Sequence, residues 1–258
     1  MKIGVLVKQV PGSESPIPIN AKGDWVQEEN ITYVMNESDS YALEEAIQIK
    51  EKSGAGEVVV LSLGPQGRTV KTIREALAKG ADRAIHIVDD VPGLVDPFLI
   101  AKALAKACEE EEFDLILSGL ISADYGSGQV GIMLGEMLGL ATASLAVETQ
   151  VQDTSIRIKR ELEGGWFQWL TCPLPALVTI QSGLNQPRYA SLKGIMTAKR
   201  KEIKSIPMAE LIGGLVPQQT LQQLAIPSTT KHTEMIEGET NQVVEQLIDV
   251  LKTKAKVL

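Results

Sequence analysis

EVVVLSLGPQGRTVKTIREALAKGADRAIHIV, residues 57–88, sets the fold class. EVVVLSLG is a continuous apolar run, as expected of a strand buried on both faces of a parallel sheet. GPQGRT reads as a turn, with Thr69 offered as a helix cap. Residues 70–78 follow with helical spacing, and Gly80 closes that helix. Residues 83–88 form the next strand. The unit is strand, turn, helix, strand, the repeat from which parallel α/β sheets are built.

The same unit recurs on both sides. Residues 3–7 are a first buried strand, ended by Lys8 and Pro11. Residues 11–24 are a Pro/Ser/Gly loop, and residues 25–34 fit a short hairpin or edge strand. Asn36 and Ser38 offer cap side chains to a helix that places Ala42, Ala46 and Ile49 on one face and ends at Gly54 and Gly56. Further on, 96–107 reads as helix, 113–117 as strand, SGLISADYGSGQ as a small-residue loop and 130–138 as helix. From Leu145 the pattern alternates apolar and polar residues, as half-exposed antiparallel strands do. Residues 144–162, WFQWLTC (166–172) and PLPALVTIQ (173–181) are therefore expected as antiparallel strands appended to the parallel core, with a turn at Gly164 and Gly165. Pro207, Pro217 and Pro227 break the tail, whose last helix spans 239–254. The expected organisation is an α/β domain over 1–206, a mostly parallel sheet flanked by helices in a three-layer sandwich, and an extended C-terminal arm over 207–258. Leu211, Leu215, Leu221, Leu224 and Ile226 have little to pack on in such an arm, so it is expected to lie along another protein.

The chain has 258 residues and a net charge of −8. It lacks the basic block that phosphate-backbone binding needs, which excludes nucleic acid as a partner. No apolar run reaches the roughly 18 residues of a transmembrane helix, and the N-terminus does not read as a signal peptide. Cys108 and Cys172 are far apart and read as free thiols of a reducing compartment. The expected location is cytoplasmic.

In an open parallel sheet, ligands bind beyond the carboxyl ends of the strands, where strand order reverses. The loops after Val7, Leu63 and Leu117 qualify. The richest is 119–130: Gly119, Gly126 and Gly128 allow close backbone approach. Ser122, Asp124, Ser127 and Gln129 supply short polar side chains, and a helix begins near Val130 with free N–H groups. It is neither a Walker A loop nor a GxGxxG turn, so the loop alone leaves phosphate binding and plain connection both open. His86 in its apolar strand reads as structural, and His232 in the polar tail as solvated. Asp89–Asp90 and 109–112 read as solvated acidic faces, and Trp166 and Trp169 as sheet packing. No metal spacing and no catalytic triad is present in the pattern.

Longer motifs carry a resemblance. VKQVP (7–11), MNESDSYALEEAIQIKEK (35–52), LSLGP (61–65) with TIREALAKGADRAIHI (72–87), and above all ELEGGWFQWLTCPLPALVTIQSGLNQPRYASLKGIMTAKRK (161–201) resemble the beta (small) subunit of electron-transfer flavoproteins along most of the chain. The resemblance implies an α/β domain docked on a larger alpha subunit, with the tail wrapping that partner. It implies one FAD held mainly by the alpha subunit, plus AMP or a second FAD in this subunit. Electrons pass from acyl-CoA dehydrogenases or related flavoenzymes to a quinone oxidoreductase or other acceptor. Only members carrying a second FAD oxidise NADH. The nucleotide site carried over is Leu6, Asn36, Glu37, Ser38, Asp39, Leu63 and residues 119–130, with no catalytic residue. Val130 stands where some members have Thr, which removes one possible hydroxyl contact to phosphate. A partner-recognition loop is implied at 189–196, with Tyr189, Leu192, Ile195 and Met196. VKQVP and DSYALEEA lean towards the second-FAD group, whereas Pro11–Gly12 stands where that group has Pro–Asp. A universal-stress-type nucleotide module is the alternative; it would need neither the tail nor NQPRYASL. A flavodoxin-like carrier would require this chain alone to bind flavin tightly.

Overall fold

The computed structural model describes residues 1–91, 96–228 and 233–258. His232 lies outside the described residues. The chain divides into two compact units, Met1–Leu224 and Ala225–Leu258. Residues 207–224, assigned to the arm from sequence, belong to the first unit.

The first unit begins with β1 (Lys2–Leu6), β2 (Gln9–Pro11), β3 (Tyr33–Met35), α1 (Glu37–Ser53), β4 (Glu57–Gly64), α2 (Gln66–Lys79) and β5 (Arg83–Val88). It continues through α3 (Pro97–Cys108), β6 (Leu115–Gly119), α4 (Val130–Met137), β7 (Ala141–Val151), β8 (Ser155–Glu161), β9 (Phe167–Pro173) and β10 (Ala176–Ile180). It closes with α5 (Leu192–Ala198), β11 (Ile203–Pro207) and α6 (Met208–Ile212). The second unit contains α7 (Thr240–Val250), which runs into a π turn at Leu251–Ala255.

Nine strands form one sheet in the order β11-β5-β4-β1-β6-β10-β7-β8-β9, and β2 pairs with β3 separately. From β11 to β7 every pairing is parallel; β7, β8 and β9 pair antiparallel. Apolar side chains leave the central strands on both faces. Val58 and Val60 pack with Ile3, Val5 and the inner faces of α1 and α2. Val59 and Leu61 pack with Ile85, Ile87 and α3, together with Leu134 of α4. The alternation is the period-two geometry of a strand covered on both sides. This is the three-layer α/β sandwich expected from the sequence.

Several elements differ from expectation. PLPALVTIQ supplies β10, which does not extend the antiparallel segment. It inserts parallel between β6 and β7, and all five of its residues are buried. Its continuous apolar run ALVTI is the buried-strand signal, masked by the alternating strands before it. β7 changes character at Leu145, a non-glycine residue at φ 62, beside register shifts on both of its pairings. Beyond that bend, Ile156, Ile158 and Cys172 enter the core shared with α1. Trp166 is 74% exposed, because it follows a tight turn at the sheet edge and does not pack on the sheet. Thr69 does not cap α2, which begins earlier, at Gln66; the Asp90 carboxylate accepts the Gln66 N–H at 2.9 Å instead.

The acidic run 109–112 is not wholly solvated. Glu111 is buried and accepts from Arg83 at 2.6 Å and Lys2 at 2.7 Å. Arg83 also pairs with Glu57 at 2.8 Å, so β1, β4, β5 and the segment before β6 are tied at their amino ends. The Arg83 guanidinium, aided by Lys2, outweighs burial and holds the Glu111 carboxyl down at about 2. A depressed folded-state value stabilises the fold above the unfolded value of about 4.3 and loses that contribution as pH falls towards 2. Glu111→Gln is expected to cost roughly 1–3 kcal/mol at neutral pH. The difference from the parent should shrink between about pH 4.5 and 2, read by denaturant unfolding at each pH.

Candidate functional site

β1 lies between β4 and β6, so the chain works outward on one side of β1 and then returns to the other. The switch point is the crevice beyond the carboxyl ends of β1 and β6. Its floor is set by the first turn of α1. Asp39, buried there, accepts the Lys8 N–H at 2.7 Å through Oδ2 and the Gly119 N–H at 3.1 Å through Oδ1. One carboxylate thus spans the two strand exits. Burial pushes the Asp39 carboxyl up to about 7, against the pull of the Lys8 amide, Asn36 and the Gly119 amide. The α1 N-terminus also favours its ionised form.

Asn36 and Ser38 carry the bracing outward. The Asn36 amide donates to Ile121 O at 2.9 Å and to Ser38 Oγ at 3.0 Å, and its Oδ1 accepts from the Ala123 N–H at 3.0 Å. Ser38 Oγ donates to Ile121 O at 2.6 Å. Sequence reading offered Asn36 and Ser38 as helix caps; Asn36 holds the cap position without a side-chain capping bond, because both side chains are spent on the loop after β6. Glu37 is exposed and takes no part in this bracing.

That loop, residues 119–130, keeps close to the sheet because its glycines permit it. A Cβ on Gly119 would run into Asp39 Oδ1 and Ser38 Oγ. Gly128 sits at φ 62, open to glycine and strained for other residues. Leu120 N donates to Ile180 O at 2.9 Å, and Gly126 N to Ser122 O at 2.9 Å. Gln129 gives α4 no side-chain cap, so the first backbone N–H groups of α4 open on the loop. Ser127 and Gln129 are exposed there, and Val130 packs partly into the core. Leu6 is a core residue at the end of β1, and Leu63 packs against the same core at the end of β4. What these two bring to the crevice is strand-end backbone.

Sequence reading missed Lys8, taken only as a strand terminator. Its ammonium reaches Asp124 Oδ1 at 2.7 Å and Ser122 Oγ at 3.3 Å and lies 5.0 Å from the Tyr125 ring centroid. Its position directly after the first strand was the available signal. His86 is fully buried in β5, with Nε2 3.0 Å from Gly64 O.

A second feature lies at the start of α5 and in the segment just before it. Tyr189, Leu192, Ile195 and Met196 are all exposed, Leu192 at 83% and Tyr189 at 96%. The segment expected as a loop becomes helical at Leu192, because Ser191 Oγ accepts the Gly194 N–H at 3.0 Å and nucleates the turn. Arg188 fixes its approach, with bonds to Glu44 at 2.9 Å and Glu51 at 2.6 Å on α1. Arg74 donates to Lys201 O at 2.7 Å and Lys201 to Leu77 O at 2.9 Å, so α2 and α5 cap one another's carboxyl ends.

Residues 24–211 match the family model for the electron transfer flavoprotein domain. The chain belongs to the electron-transfer flavoprotein beta-subunit family. It is 37% identical to the electron transfer flavoprotein subunit beta of Bradyrhizobium diazoefficiens over all of both chains. It is 35% identical to that of Methylophilus methylotrophus over 97% of this chain and 98% of the relative. Against the human subunit beta the identity is 33%, over 100% of this chain and 99% of the relative. This coverage takes in the tail, which a universal-stress-type module would not need, and that alternative is set aside. As a member of this family the chain has both its switch-point crevice and its α5 patch within the span that defines the family, 24–211, apart from the β1 end and Lys8.

Proposed function

We propose that the chain is the beta subunit of a heterodimeric electron-transfer flavoprotein and holds an adenine nucleotide at the switch point. The carrying observation is the loop 119–130, braced from below by Asn36, Ser38 and Asp39 and running into the uncapped start of α4. Backbone N–H groups there suit a phosphate. The strand-end backbone at Leu6 and Leu63 and the polar groups of Ser122, Asp124, Ser127 and Gln129 line the remaining crevice. The nucleotide is AMP or a second FAD, beside one FAD shared with the alpha subunit. Electrons arrive from an acyl-CoA dehydrogenase or related flavoenzyme, or from NADH if the second FAD is present. They leave to a quinone oxidoreductase or other acceptor. Among the described residues no helix is long and apolar enough to cross a membrane. The C-terminal tail from 207 to 258, whose first part (207–224) belongs to the first unit, docks on the alpha subunit.

The nucleotides released from the purified heterodimer give the direct test of the site. The parent should yield one adenine nucleotide beyond the shared FAD, and Gly128→Glu should lose that nucleotide while retaining the shared flavin. A full complement in the variant would count against the assignment.

The exposed patch at Tyr189, Leu192, Ile195 and Met196 is the proposed docking face for the dehydrogenase. Truncating a docking hot spot costs about 2 kcal/mol or more, roughly a thirtyfold loss of association. Leu192→Ala should therefore lower kcat/KM for reduction by the dehydrogenase by about that factor, chiefly through KM, with flavin content and heterodimer intact. Unchanged kinetics would move docking to another surface.

A further inference from the structure

Lys8 and Asp124 form a pair that structural bracing does not require. The strand exits are already joined by Asp39, and the loop is already held by Asn36 and Ser38. Among the described residues, Lys8 is the cation whose side chain contacts the loop 119–130, and the loop's own Asp124 holds it. The two side chains keep 39% and 19% of their surface, so water reaches the pair and its net strength is small. Lysine is a point charge on a flexible stem and can change partner without rebuilding the backbone. A phosphate at the start of α4 would face the Asp124 carboxylate at like charge. It would carry more negative charge than that carboxylate and more acceptor oxygens.

We propose that Asp124 stands in for a nucleotide phosphate on Lys8: when a phosphorylated nucleotide binds, the Lys8 ammonium passes from Asp124 to the phosphate. Lys8 is then the residue by which this site prefers a nucleotide to a nucleoside, and Asp124 is its built-in competitor. This rests on the nucleotide reading of the switch-point crevice.

The test uses the heterodimer freed of its bound nucleotide, with AMP and adenosine as calorimetric probes. Lys8→Met should weaken AMP by about tenfold or more, the loss of one charge-assisted contact. It should leave adenosine unchanged and flatten the salt dependence of AMP binding. Lys8→Arg should restore AMP binding to within about threefold of the parent. Asp124→Asn should tighten AMP by about threefold or more relative to adenosine. Equal losses of AMP and adenosine in Lys8→Met would overturn the proposal, as would weaker AMP binding in Asp124→Asn. Shared-flavin content checks that each variant is folded. A parent that binds AMP and adenosine equally well refutes the role of Lys8 alone, whereas a parent that binds neither removes the nucleotide reading and this proposal with it.

Discussion

A single buried carboxylate, Asp39, decides what the carboxyl end of this sheet looks like. Parallel strands diverge beyond their last ladder bond, and at a switch point no helix crosses over to cover the gap. Asp39 closes the gap by taking the Lys8 and Gly119 amides, one on each oxygen. The arrangement costs stability. Across about pH 4 to 7 the folded chain retains a proton on Asp39 that the unfolded chain has released. Its contribution therefore weakens folding as pH rises through that window. What the carboxylate secures in return is shape: the β1 exit and the loop after β6 are fixed relative to one another, with Gly119 as the residue that fits against it.

The same helix serves the other surface. α1 places Asp39 in its first turn, and Glu44, Glu45 and Glu51 farther along it. Glu44 and Glu45 are buried, unusual for helix glutamates unless they are paired. Burial alone would raise the Glu44 carboxyl, but the bonds from Arg188 and Gln48 together outweigh it and hold the group below the ordinary range. Glu45 accepts from Asn185 at 3.1 Å and from the Thr149 hydroxyl. Asn185 and Arg188 lead into the exposed patch on α5, so one helix orders both the switch-point crevice and the approach to the proposed docking face.

The parallel core was legible because a strand covered on both faces must be apolar at every position, as in EVVVLSLG and RAIHIV. β10 obeys the same rule but was read with the alternating strands that precede it; its place in the sheet depends on pairing with β6, which no local pattern encodes. The loop 119–130 was legible through its glycines. Glu111 and Lys8 were not, because their roles come from partners remote in sequence: Arg83 for the first, and Asp124, 116 residues away, for the second. Leu192 comes from the resemblance, as part of a loop at 189–196; the Ser191 side chain that makes it helical is a local cap signal within that same stretch.

Amide hydrogen exchange at Lys8 and Gly119 in Asp39→Asn tests the central claim most directly, with the nucleotide content of the same heterodimer measured alongside. A carboxamide offers one acceptor oxygen and turns an NH2 group towards the second amide. One of the two amides should lose protection and nucleotide occupancy should fall, while amides of β4 and β5 exchange as in the parent. Full protection at both amides with undiminished nucleotide would contradict the account.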